Sequence, residues 1–150
     1  MSTIKRQEII DAVITRISGI TTPTYYSTFT DKVWEYKTNP FETDQLDGVT
    51  VADFSQSLVE EESSPMGTHV YDLDLTVLVV SKKGQNTLSW LRKAEVDINK
   101  AFKTDLTFGG LAMITRYVGS QITVDEKEKF IGGIEIKYTI RYETEAFQED

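Results

Sequence analysis

Two stretches that alternate strictly between apolar and polar residues constrain what this chain can fold into. In Tyr71–Val80, the residues Tyr71, Leu73, Leu75, Val77 and Val79 share one parity, and Asp72, Asp74 and Thr76 share the other. In Ile134–Tyr142, the residues Ile134, Ile136, Tyr138, Ile140 and Tyr142 alternate with Glu135, Lys137, Thr139 and Arg141. A period of two puts each apolar set on one face of a strand, so both stretches predict strands with one covered face. Near the end of the first, Leu78 and Val80 make the second face apolar too, and that end is expected to be covered on both sides. Burying the five inward residues of the first strand supplies roughly 10 kcal/mol of gross hydrophobic driving force, at about 1.5–3 kcal/mol per side chain.

The covering layer can be read as well. Ile10, Val13, Ile14 and Ile17 recur at helical spacing, in a helix that starts near Ile4 with Thr3 as its cap. Gly19 sits at its C-terminal end, and Pro23 prevents continuation. A second helix is predicted from Asn86 or Thr87 to about Lys103. Its buried stripe is Leu88, Leu91, Ala94, Ile98, Ala101 and Phe102, with Trp90 at the flank. Val96 falls on the opposite side, where an exposed valine suits an oligomer interface.

Shorter strands are predicted at Val33–Lys37, Val49–Glu60, Leu111–Val118 and Gln121–Val124, the last two interrupted at Gly119-Ser120. Phe54 and Leu58 have the wrong parity for Val49 and Val51, and a bulge near Ala52–Asp53 would reconcile them. Glu60–Thr68 is too polar for a core and reads as the connection of a long hairpin arm. Asp125–Lys129 is a charged connection, and the acidic tail 145–150 is expected to fray. The predicted class is α+β: an antiparallel or mixed sheet of about four to five strands packed against two main helices, with a long β-hairpin arm. At 150 residues the chain is expected to form a single domain, 1–150.

Templates for catalysis find little purchase. There is no cysteine, which removes disulfides, thiolate metal sites and a Cys nucleophile. Histidine occurs once, at His69, where a solvated surface residue at the loop side of a strand start is the expectation. Asp72 and Asp74 leave one strand on the same side, and Glu60, Glu61 and Glu62 could join them across the hairpin. A cation site of oxygen ligands or paired-carboxylate chemistry is therefore conceivable, but alternating acids on a wetted strand face are also an ordinary means of solubility. Gly109-Gly110 and Gly132-Gly133 lack phosphate-loop context and read as turns or bulges at strand starts. The expectation is a protein that is not an enzyme and takes no cofactor or metal. A net charge of −8 gives no basic nucleic-acid footprint and makes an anionic membrane an unsuitable partner. No apolar stretch predicts a transmembrane span or a signal peptide, so the chain is expected to be soluble and to stay where it is made or travel inside an assembly.

The order of elements and several short motifs resemble the tail terminator (minor tail, tail-completion) proteins of long-tailed bacteriophages. The likeness runs over nearly the whole chain. It includes the helix ending at Arg16-Ile17 and the segment V-W-E-Y-K-T-N-P-F at Val33–Phe41, followed by the valine-rich Gly48–Val51. It continues through the acidic crossover Glu60–Glu62 into the His-containing strand Thr68–Val80, then A-E-V-D-I-N-K-A-F at Ala94–Phe102. D-L-T-F-G-G-L-A at Asp105–Ala112 is the most specific motif, and Tyr142-Glu143-Thr144 closes the set. Leu46-Asp47-Gly48 departs from the family, which often has a proline there.

The resemblance implies a structural phage protein that forms a ring, usually hexameric. Such a ring caps the tail tube, ends its polymerisation and offers a surface to the head. Implied partners are further copies of the chain, the tail tube protein and a head-completion protein, with DNA only passing through the lumen, for which excess acid is suited. The implied location is the host cytoplasm during assembly and then the head–tail junction of the virion. Ring closure requires a heterologous interface. Its candidates here are Glu60, Glu61, Glu62, Met66 and His69 in the arm, Val96, and pairing at sheet edges. Another head–tail joining or neck protein, and a small intracellular ligand-binding domain, remain the alternatives.

Overall fold

A computed structural model of the chain describes residues 4–36, 46–125 and 131–145. The elements run α1 (Lys5–Ser18), β1 (Val33–Glu35), β2 (Gly48–Leu58), β3 (Thr68–Lys82), α2 (Thr87–Lys103), β4 (Ile114–Asp125) and β5 (Ile131–Glu145). The five strands form one sheet in the order β1-β2-β3-β5-β4. β1 runs parallel to β2, and the other three pairings are antiparallel, so the α+β class and the mixed sheet are as the sequence predicts.

The two alternating stretches are the middle of the sheet. β3 and β5 pair over fifteen positions without a break, from Thr68 opposite Glu145 to Lys82 opposite Ile131. The register sets Leu73 against Ile140, Leu75 against Tyr138, Val77 against Ile136 and Val79 against Ile134. All eight are buried, and α1 and α2 cover them. Polar partners fall opposite one another on the other side: Asp72 with Arg141, Asp74 with Thr139, Thr76 with Lys137. Both predicted strands are longer than their alternating cores, because backbone pairing continues after the side-chain pattern stops.

α1 buries Ile9, Ile10, Val13 and Ile17, and Ile14 is only half-buried. Its N-cap is Ile4, and Thr3 lies outside the described residues. α2 begins and ends where predicted, but Leu88 is 41% exposed instead of part of the buried stripe. Thr87, one residue earlier, takes the inward place at the start of the helix, and its hydroxyl donates to the Gly84 carbonyl oxygen. Leu111–Met113 belong to a turn, not a strand, and β4 runs through Gly119 and Ser120 with a register shift between Tyr117 and Gly119. Gly132 and Gly133 are regularly paired strand residues, neither turn nor bulge. A Cβ on Gly132 would stand 2.6 Å from the Thr87 Cγ2 and 3.1 Å from the Leu91 Cδ1, so glycine there lets the first turn of α2 press onto β5.

The sheet is covered on one side. Among the described residues no helix or strand is layered on its outer face. Leu78 and Val80 are half-buried there, so the predicted covering of that end on both sides does not occur. The acidic tail, apart from Glu145 at the end of β5, and the charged connection after Asp125 lie outside the described residues.

Candidate interaction surface

The outer face is built by the polar parity of β3 and β5, and two irregularities add strongly exposed apolar residues to Leu78 and Val80. β2 shifts register between Ala52 and Ser55, as the mismatched parity predicted. Beyond the shift Gln56 and Leu58 lie opposite Leu73 and Tyr71, which reconciles the parity of Leu58 although it stays 43% exposed. Phe54, however, sits in the bulge itself and turns outward, 72% exposed, so the expectation that it joins Val49 and Val51 is wrong. An extra residue in a bulge has no cross-strand partner to hold it on either face. Its ring meets Tyr36 edge-on at 5.4 Å. On the far strand the second register shift leaves Val118 62% exposed on the same face. Together with Thr50, Ala52, Asp74, Thr76, Leu78, Glu135, Lys137 and Thr139, these residues line a groove of about 670 Å³.

An ionic knot closes one end of this face. The Arg141 guanidinium grips Asp72 with both arms, Nε to Oδ1 at 2.8 Å and Nη2 to Oδ2 at 3.1 Å. Its remaining nitrogen, Nη1, donates to Glu62 Oε2 at 2.5 Å. The hydrogen bond from Arg141 holds the Asp72 carboxyl below its ordinary range, and the same bond raises Arg141. Asp74 instead accepts from the Ser55 hydroxyl at 2.7 Å. The carboxylates considered for cation binding are thus brought to one face, yet they are held apart by different partners. Among the described residues no group of three or more His, Asp or Glu side chains is arranged to hold a metal ion.

Through Glu62 the knot also fixes the connection between β2 and β3. Residues Glu60–Glu62 form a single 3₁₀ turn. The Ser63 hydroxyl staples it to the sheet, donating to the Val59 carbonyl at 2.7 Å and accepting from the Val70 N–H at 2.9 Å. Glu60 and Glu61 stay exposed, and Met66 in the following loop is 90% exposed. His69 is a half-buried residue of β3 opposite Thr144, with Nδ1 3.1 Å from the Tyr71 hydroxyl, not a solvated loop residue. The five candidates of the arm therefore gather around one connection. Val96, 54% exposed on α2, lies on the other side of the sheet.

The Asp105–Ala112 motif proves to be a self-contained turn. Asp105 accepts from the Thr107 hydroxyl at 2.6 Å, the Thr107 N–H at 2.9 Å and the Gly109 N–H at 2.7 Å. These bonds pull its carboxyl down to about 2. Phe108 is held at φ 49° and buried against Phe102 at 5.3 Å, with the Arg16 guanidinium stacked 4.7 Å from its ring. Arg16 also donates to the Ala101 and Asp105 carbonyl oxygens, which ties the turn to α1. The signature residues hold each other and join two helices to β4; their chemistry is packing.

Sequence reasoning missed the apolar groove. Its signals were present as faults in alternation, at Phe54 in β2 and at Val118-Gly119 in β4, which read as details of strand pairing.

No family model matches this chain, and no curated protein matches it. Among solved structures, its fold is similar to a chain in the virion of a native gene transfer agent particle. The TM-score is 0.54 and the identity 12%, over 89% of this chain and 93% of that one. At that identity the likeness is one of fold.

Proposed function

We propose that this chain is a structural protein of a phage-type particle, a tail-terminator-like subunit that works as a ring. In this reading the 150 residues act as one domain. Copies close into a ring, with six as the expected number, which caps the tail tube, stops its growth and offers its other side to the head. The work is done by interface geometry, with no covalent step.

The observation that carries the reading is the sheet left bare on one side among the described residues, with Phe54 and Val118 exposed over a groove of about 670 Å³. Exposed large apolar side chains that frame a groove on an otherwise polar face are the mark of a surface meant to be covered by another protein. The fold shared with a chain of a virion particle supports the same reading, as does the run of short motifs along the sequence.

Electron microscopy of the purified full-length protein tests it, together with native mass spectrometry over a range of concentrations. Rings with a central pore and a six-subunit species are expected. Added to polymerising tube protein, the chain should shorten the tubes and sit at one end of each. A protein that stays monomeric at every concentration and leaves tube length unchanged would sink the proposal.

A further inference from the structure

Charge is unevenly spread over this acidic chain. The run from Lys82 to Lys103 holds six of the sixteen Lys and Arg residues but only two of the 24 acids. Both acids are engaged at home. Asp97 is buried and accepts from the Tyr26 and Ser27 N–H groups at 3.1 and 2.8 Å. Glu95 accepts from the Tyr117 hydroxyl at 3.1 Å. What α2 presents to solvent is therefore a basic stripe at helical spacing, Arg92, Lys93, Lys100 and Lys103, with Val96 exposed in its middle. Two of the bases are positioned in advance. The Lys93 ammonium stands 5.6 Å from the Tyr26 ring centroid, and that of Lys100 stands 5.0 Å from Tyr25.

The outer face has the opposite character. Arg141 is answered by Asp72 and Glu62, and Lys137 by Glu135 at 3.6 Å. Asp74, Glu60 and Glu61 form no salt bridge among the described residues, although Glu61 lies within the field of Arg141, and Arg116 on β4 and Lys82 at the far end of β3 are bases of this face outside those pairs. An apolar groove with an acidic end thus lies on one side of the sheet, and a basic helix with an apolar centre lies on the other.

We propose that the subunit contact is α2 of one copy seated across the outer sheet face of the next. Val96 lies toward Phe54 and Val118, and Arg92 and Lys93 lie toward Glu60 and Glu61. The inference rests on the ring reading and names the surfaces that make the ring. A second copy is the occupant because the two faces complement each other in charge and in their apolar centres. The faces are on opposite sides of one sheet, so two copies cannot satisfy each other in pairs. Each contact leaves a free face for a third copy, the arrangement from which closed rings are generated. A phosphate backbone is the other natural ligand of a basic stripe, but Val96 at its centre and a net charge of −8 favour an acidic protein surface.

Charge reversal of the full-length chain tests this, read by native mass spectrometry, with circular dichroism to establish that each variant is folded. Arg92→Glu with Lys93→Glu, and separately Glu60→Lys with Glu61→Lys, are each expected to weaken association about tenfold or more by opposing like charges. The first variant is acidic on both surfaces and the second basic on both, so an equimolar mixture is expected to reassemble into alternating oligomers. Rings that form equally well in all variants would overturn the inference while leaving the ring reading intact. A wild-type chain that is monomeric at every concentration overturns both. Binding of a short DNA duplex that is lost in the first variant, with oligomerisation unaffected, would overturn it in favour of nucleic acid.

Discussion

Arg141 is the residue on which the outer face turns. It sits at the polar parity of β5 directly opposite Asp72, so the pairing register alone brings a guanidinium and a carboxylate together. Its reach to Glu62 then draws the β2–β3 connection down onto the sheet. Because the hydrogen bond from Arg141 lowers the Asp72 pKa below its ordinary 3.8, the charged pair stabilises the fold above that value. The contribution is lost as pH falls through the folded-state pKa. Asp72→Asn should therefore cost about 0.2–1 kcal/mol near neutral pH, the range of a solvent-reached pair. Urea denaturation at pH 7 and at pH 3 checks this, with the difference between variant and wild type shrinking at the lower pH. The alternation predicted where Asp72 and Arg141 would point. It held no information on their meeting, because pairing two strands so far apart in the chain is a tertiary event.

At the scale of elements, most of the architecture was legible and its corrections share a cause. β3, β5, α1 and α2 were predicted from periodicity, which reports the face an element buries. Periodicity failed where a neighbouring element set the geometry. Leu88 fits the apolar stripe of α2 but stays exposed, because the inward position at the start of the helix belongs to Thr87. Gly132 reads as a breaker in sequence, yet it is a strand residue kept small by that same turn of α2. Gly132→Ala should accordingly destabilise the protein by about 1–3 kcal/mol, the usual cost of overpacking, in chemical denaturation. Gly119→Ala, where an added Cβ meets nothing within 4 Å, should fall within about 0.5 kcal/mol of wild type. Equal effects at the two glycines would mean that backbone entropy, not helix-to-strand packing, explains Gly132. The candidate surface was only half legible by the same logic. Its acids and Leu78 were predicted, and its most exposed apolar residues, Phe54 and Val118, were hidden in bulges that a period of two cannot express.

For the whole molecule, the decisive feature is that, among the described residues, the five strands carry helices on one side only. In a lone subunit the side chains of Phe54 and Val118 are hydrated. Covering them in an assembly releases that water, and loss of apolar hydration lowers the heat capacity. The enthalpy of association should thus become more negative on warming, which calorimetric dilution at several temperatures would register as a dissociation enthalpy that rises with temperature. A flat slope would mean that the open face stays wet in the assembly. The same term weakens on cooling. If the proposed ring closes over this face, it would therefore hold together more firmly in the warm than in the cold.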